Sequence, residues 1–352
     1  MNRRIIIQIV IGVIIVSLLM TGIILVQAFR TPLAPQLTIS PVVETLPPIP
    51  TATKKPPSTS PIIPVITETP QIIQTPEPTI VPTDLPGACG GSGSMNILLT
   101  GKDAGFFQPP YGADAIRLIK VDFVTEKVTI FSIPRDLQVK TSNLENYGTS
   151  ETKLGLAYQV IMEKESQAAD VDIKATSALA QIIFDNFGVL PDHYITVKST
   201  LIKDVINSIG GIEVDIATAI NSDTLKLKAG KQRLDGQTTQ EFLRFHENNE
   251  SSSEWNRIPR QNQVIKGLRN KVLSPAILIR IPDLFNQFRY GTTTDLSMQQ
   301  ILNLTCMVGE VPMEAVSFET INPNMVNIQP DGSMIMIDKE IVKNQFINVF
   351  GP

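Results

Sequence analysis

Ala113-Asp114-Ala115-Ile116-Arg117-Leu118-Ile119-Lys120-Val121-Asp122-Phe123, then Val124-Thr125-Glu126, then Lys127-Val128-Thr129-Ile130-Phe131-Ser132-Ile133-Pro134-Arg135-Asp136, is the stretch on which the fold turns. Two β-rich runs joined by three residues read as a hairpin, with strands over 115–123 and 127–133. Upstream, 95–100 is a short apolar strand. Downstream, helical spacing recurs over 152–165 and 172–187, with Gly188 as a C-cap. A strand over 193–197 is followed by a helix over 201–209 that Gly210-Gly211 stops, and then by a strand over 212–216. Helices are expected over 235–245 and 256–272, a strand over 315–321 and a last helix over 339–349. The alternation predicts an α/β fold with a central mixed β-sheet flanked by helices. Residues 95–352 match one large domain in size.

The N-terminal third is different material. Residues 5–26 are almost unbroken apolar, long enough for a helix to cross the roughly 30 Å core of a bilayer. That is longer than the apolar core of a cleaved signal peptide. Arg3 and Arg4 precede it and positive charge is sparse after it, so the expected topology is a single pass in the cell membrane, N-terminus in the cytoplasm and C-terminal domain outside. Residues 1–30 are thus a cytoplasmic tip and anchor. Residues 31–94 read as a Pro/Thr/Ser-rich disordered tether, since 15 of the chain's 26 prolines fall between Thr31 and Pro86. From Thr31 to Pro86 the upper reach is on the order of 170 Å at about 3.1 Å per residue. A flexible joint, Gly87 to Ser94, then leads into the globular part.

A net charge of −4 and the lack of a basic stripe argue against a nucleic-acid partner. Two cysteines are too few to build a fold from disulfides. Cys306, within an apolar run, is expected as a buried thiol, and Cys89 is left without a role.

Polar clusters stand where apolar elements end: Gly101-Lys102-Asp103, Gly112-Ala113-Asp114 and Pro134-Arg135-Asp136. A further set is spread over two helices as Arg244, His246, Arg257, Arg260 and Gln261. Loops at strand ends commonly carry sites. Two carboxylates with several guanidiniums suit magnesium bridging a pyrophosphate, the carboxylates holding the metal and the planar forks neutralising phosphate oxygens. His193, Trp255 and the helix-cap signal at Thr292 to Asp295 have structural readings, and residues from Ser274 onward complete the core.

In order and spacing these stretches resemble the LytR-CpsA-Psr (LCP) family of extracytoplasmic phosphotransferases. The resemblance runs from Asn96-Ile97-Leu98-Leu99-Thr100-Gly101-Lys102-Asp103 through Ala113-Asp114 and Ile133-Pro134-Arg135-Asp136. It continues through Gly210-Gly211-Ile212-Glu213-Val214 and Phe242-Leu243-Arg244-Phe245 to Arg257-Ile258-Pro259-Arg260-Gln261. It implies a magnesium ion at Asp103 and Asp114, and catalytic roles for Asp103, Asp114, Arg135 and Arg244. It further implies head-group contacts from Arg257, Gln261 and Lys153, with His246 and Lys102 beside them. The implied substrate is a polyprenyl-pyrophosphate-linked glycan, the acceptor is peptidoglycan, and the lipid tail lies in an apolar cavity between sheet and helices.

Three arginines of the family pattern are absent: one after Asp103, where Ala104-Gly105 stands, one at Gly112, and one at His246. Lys102 is the first candidate to replace the lost charge and Arg117, inside a strand, the second. Two readings follow. One is a working cell-wall glycopolymer ligase with a remodelled clamp; the other is a weakly active or non-catalytic protein that holds polyprenyl pyrophosphate.

Overall fold

The computed structural model describes residues 26–39, 87–102, 112–245, 253–274, 277 and 280–351. The membrane span expected over 5–26 lies outside them save Val26, as do most of the tether, Asp103 and His246. Among the described residues no helix is long and apolar enough to cross a membrane.

The hairpin forms the middle of the sheet. β1 (Ser94–Lys102) pairs antiparallel with β2 (Ala113–Asp122), which pairs antiparallel with β3 (Lys127–Ile133). Helices α1 (Leu154–Lys164) and α2 (Val171–Phe187) follow, and Gly188 ends α2 at φ 71° as a left-handed cap. β4 (His193–Lys198) runs parallel to β1 and leads directly into α3 (Ser199–Ser208). A side ribbon of β5 (Ile212–Ile216) and β6 (Gly230–Leu234) precedes α4 (Gly236–Arg244), capped by the Asp235 carboxylate on the Thr238 amide. α5 (Ser253–Val272) is the long helix; then come α6 (Ile281–Gly291), β7 (Thr292–Thr294), α7 (Met298–Glu310), β8 (Val316–Thr320) and α8 (Lys339–Phe350). The sheet order is β7-β4-β1-β2-β3-β8, and the parallel pairs β1–β4 and β3–β8 make it mixed.

Strand periodicity divides the side chains between two faces. Leu98, Leu118 and Phe131 pack under α1, α2 and α8, where Phe346 stacks on Phe187 with ring centroids 4.4 Å apart. Ile97, Val121 and Phe123 face the other way and meet Met307 and Val311 of the α7 end. A third cluster joins Ile206, Val214, Leu234, Phe242 and Val264, so α5 is shared between the side ribbon and the sheet.

Three expectations change. Cys306 is no free thiol: it is bonded to Cys89, 217 residues away, tying the segment before β1 to α7. The cap signal at Thr292 to Asp295 instead forms the edge strand β7, with Asp295 buried against the Tyr194 amide; the helix cap is Ser297, reciprocated by Gln300. Residues 31–39, expected in the tether, dock on the domain. Pro32 bridges Ser297, the Leu33 amide donates to the Leu296 carbonyl, Tyr194 Oη donates to the Pro35 carbonyl at 3.1 Å, and Leu37 and Ile39 pack on the main core.

Candidate functional site

A cavity of about 250 Å³ lies between the sheet and α5. One stripe of α5 forms its roof: Arg257, Gln261, Val264, Ile265 and Leu268 recur at helical spacing, passing from charged to aliphatic over three turns. Leu99, Val197, Ile202 and Leu243 complete the apolar end. Three guanidinium residues, Arg117, Arg244 and Arg257, and the stem of Lys102 line the cavity against one carboxylate, Asp114, so among the described residues its polar lining favours anions.

Each cation is held differently. Asp114, at the start of β2, accepts from Arg135 Nη1, and its carbonyl accepts from Arg257 Nη2 at 3.1 Å. Arg257 also donates to Glu254 Oε2 at 2.8 Å, and Arg135 Nε lies 3.8 Å from the same oxygen. Burial opposes the charge on Arg135, but Asp114, Glu254 and Asp136 outweigh it and hold the guanidinium above its ordinary value. Burial pushes Glu254 above the usual glutamate range, against the pull of Arg257 and Arg135. The Nε–H groups of Arg135 and Arg257 are buried without an acceptor among the described residues, a donor surplus that suits phosphate oxygens. Arg244, in the last turn of α4, reaches Ser199 Oγ at 3.4 Å.

The structure brings Asp114, Arg244, Arg257, Gln261 and Lys102 to one cavity, with Arg135 adjoining through Asp114. Lys153 stands behind it: its Nζ is 3.7 Å from Asp136 and donates to the Asp331 carbonyl. The replacement expected from Lys102 meets an obstacle, because its ammonium is paired with Asp172 at the start of α2, on the sheet's other side. Arg117, ranked second from sequence, points into the cavity. The register explains this: Arg117 opposes Leu99 in the β1–β2 ladder, and directly opposed side chains share a face. Glu254 was missed altogether; a carboxylate three residues before Arg257 on a helix was its sequence signal. No group of three His, Cys, Asp or Glu side chains among the described residues is arranged to hold a metal. Asp114 alone still fits magnesium, which often takes one or two carboxylates and fills its octahedron with water and substrate phosphates.

The profile of the LytR_cpsA_psr family matches residues 75–348. The chain belongs to the LytR_cpsA_psr family. A polyisoprenyl-teichoic acid–peptidoglycan teichoic acid transferase, TagU of Oceanobacillus iheyensis, is 26% identical over 212 residues, 60% of this chain and 62% of that protein. The transferase of the same description named TagV in Bacillus subtilis is 24% identical over 54% of this chain. The chain spans only 47% of that relative's length. The crystal structure of B. subtilis TagV superposes with a TM-score of 0.55 at 20% identity, covering 73% of this chain and 96% of that one. The mixed sheet with its flanking helices is therefore the architecture of this LytR_cpsA_psr structure.

Proposed function

We propose that this chain is a membrane-anchored extracytoplasmic phosphotransferase that moves a glycopolymer from a polyprenyl-pyrophosphate carrier to peptidoglycan. The observation that carries the reading is the α5 stripe, which runs from guanidinium to aliphatic within one cavity, as an amphiphile with a charged head and an apolar tail requires. The activity named for the relatives supports it. Aliphatic residues take the lipid next to the head, and Arg135, Arg244 and Arg257 neutralise the phosphates. An acceptor hydroxyl of the peptidoglycan sugar bonds to the glycan-side phosphorus and gives up its proton to a carboxylate of the site, the bridging P–O bond breaks, and polyprenyl phosphate leaves. The protein contributes chiefly position and charge neutralisation. Asp114, with Asp103, would hold magnesium, which supplies further neutralisation of phosphate charge. The apolar run over 5–26 is the anchor, and the Cys89–Cys306 bond agrees with an oxidising side of the membrane.

The test is transfer from a polyprenyl-pyrophosphate glycan to a peptidoglycan oligomer by the full chain in detergent. Arg135→Ala is expected to lower turnover on the order of 100-fold or more. The second reading, a protein that binds the carrier without turnover, is favoured by Gly112, packed so that a Cβ would lie 3.1 Å from the Gly155 carbonyl oxygen and standing where the family pattern has arginine. Carrier binding that needs Arg135, with no transfer at any magnesium concentration, would establish that reading instead.

A further inference from the structure

Arg117 differs from the other cations of the cavity in what it touches. It is 2% exposed, donates from Nη1 to Asn262 Oδ1 at 2.8 Å, and donates from Nη2 to Gln261 Oε1 at 2.9 Å. Both partners are neutral amides. Arg135 has Asp114, Arg257 has Glu254 and Lys102 has Asp172, but Arg117 forms no ion pair with a carboxylate among the described residues. Burial lowers it to about 10 against the opposing pull of the Glu254 carboxylate, so it stays charged at neutral pH. A buried charge whose direct partners are neutral amides is costly, and such groups are normally paired with a carboxylate in contact. Beside it stands a buried hydroxyl. Ser132 opposes Arg117 in the β2–β3 ladder, so it shares that face; it is 2% exposed and its hydroxyl has no hydrogen-bond partner among the described residues.

We propose that Arg117, with the Ser132 hydroxyl beside it, binds the lipid-side phosphate of the carrier from within the cavity wall. The inference rests on the carrier reading above and deepens it. Asp114 lies three residues before Arg117 on β2, about 10 Å along the strand. Arg135 and Arg257, which contact Asp114, therefore face the glycan-side phosphate, while Arg117 is level with Leu99, where the aliphatic lining begins. A guanidinium there restores within the wall the charge that Gly112 and His246 do not supply. Gln261 orients it by accepting from Nη2.

Three probes separate this role from a structural one: geranylgeranyl pyrophosphate, geranylgeranyl monophosphate and geranylgeraniol, titrated into the full chain by calorimetry. A charge-assisted contact to phosphate corresponds to roughly a 10- to 100-fold change in affinity. Arg117→Met is expected to weaken both phosphates by that factor and leave the alcohol unchanged. Arg117→Lys should recover part of the loss, and Arg135→Ala should weaken the pyrophosphate more than the monophosphate. Equal losses for all three probes in Arg117→Met would reduce Arg117 to a packing residue, and no loss would remove it from the site; either overturns the proposal while the carrier reading stands. A wild-type chain that takes the alcohol as well as the phosphates overturns both. Arg117→Lys, which keeps charge and most of the volume, is the check should Arg117→Met unfold.

Discussion

Glu254 orders the site without lining the cavity. It is 3% exposed and stands between Arg257 and Arg135, so a single carboxylate aims two guanidiniums. Removing it leaves Arg257, itself 3% exposed, as a buried charge without its partner. Glu254→Ala is expected to cost about 3–5 kcal/mol of folding stability, as loss of one member of a buried pair does. Glu254→Gln, which keeps the shape and an acceptor oxygen for Arg257, should cost less. Urea unfolding of the two variants reads the difference, and equal stability of Glu254→Ala and wild type would refute the role. At this scale the sequence was legible where a charge stands at the end of an apolar element, as for Asp114 and Arg135. It was not legible where partners come from far along the chain. Arg117 is paired with Gln261 and Asn262, and Lys102 with Asp172, through contacts 70 to 145 residues apart.

At the scale of elements, α5 joins the guanidinium end of the cavity to its aliphatic wall, and its other side is fixed by a glycine. A Cβ on Gly267 would lie 2.6 Å from the Glu213 carbonyl oxygen of β5, too close for any real contact. Gly267→Ala must move α5 away from the side ribbon and carry Leu268, its neighbour in the cavity roof, with it. The expected cost is roughly 1–3 kcal/mol in stability, seen in denaturant midpoint, with weaker binding of a lipid probe. Unchanged binding would show that the roof can adjust independently of β5. The regular elements were readable because each has its own periodicity: the strand at 212–216 coincides with Ile212–Ile216, and the last helix begins at Lys339 as its Asp338 cap requires. β7 was not. Three threonines and an aspartate read as a cap, yet the backbone bonds that make Thr292–Thr294 a strand come from Val197, Thr196 and Ile195 of β4. A three-residue edge strand has too little pattern of its own to compete with cap chemistry.

For the whole molecule, docking of residues 31–39 alters what the proline-rich stretch can do. Composition alone reads residues 31–94 as a spacer whose proline-rich part, 31–86, could hold the domain on the order of 170 Å from the membrane. Instead both described ends of that stretch belong to the domain: Leu37 and Ile39 pack on the main core, and the Ala88 amide donates to the Phe123 carbonyl at 2.8 Å. Residues 31–39 and 87–94, the described ends of the stretch, are therefore both held at the domain. The first docked contact, Pro32 with Ser297, comes six residues after Val26, within about 20 Å of chain from the end of the apolar run. On the proposed anchoring and function, the domain rides at the bilayer surface, where a carrier lipid can enter the cavity without leaving the membrane entirely. Gln299 is an exposed reporter, sharing a surface cleft with Arg30 and Pro32. A donor dye at Gln299→Cys on the full chain in vesicles should show strong energy transfer to acceptor-labelled lipid headgroups. Adding Leu37→Asp and Ile39→Asp should remove most of it by freeing the segment. Weak transfer in the parent chain, equal to that of the double variant, would restore the spacer reading; vesicles that fail to retain the chain at all would refute the anchor instead.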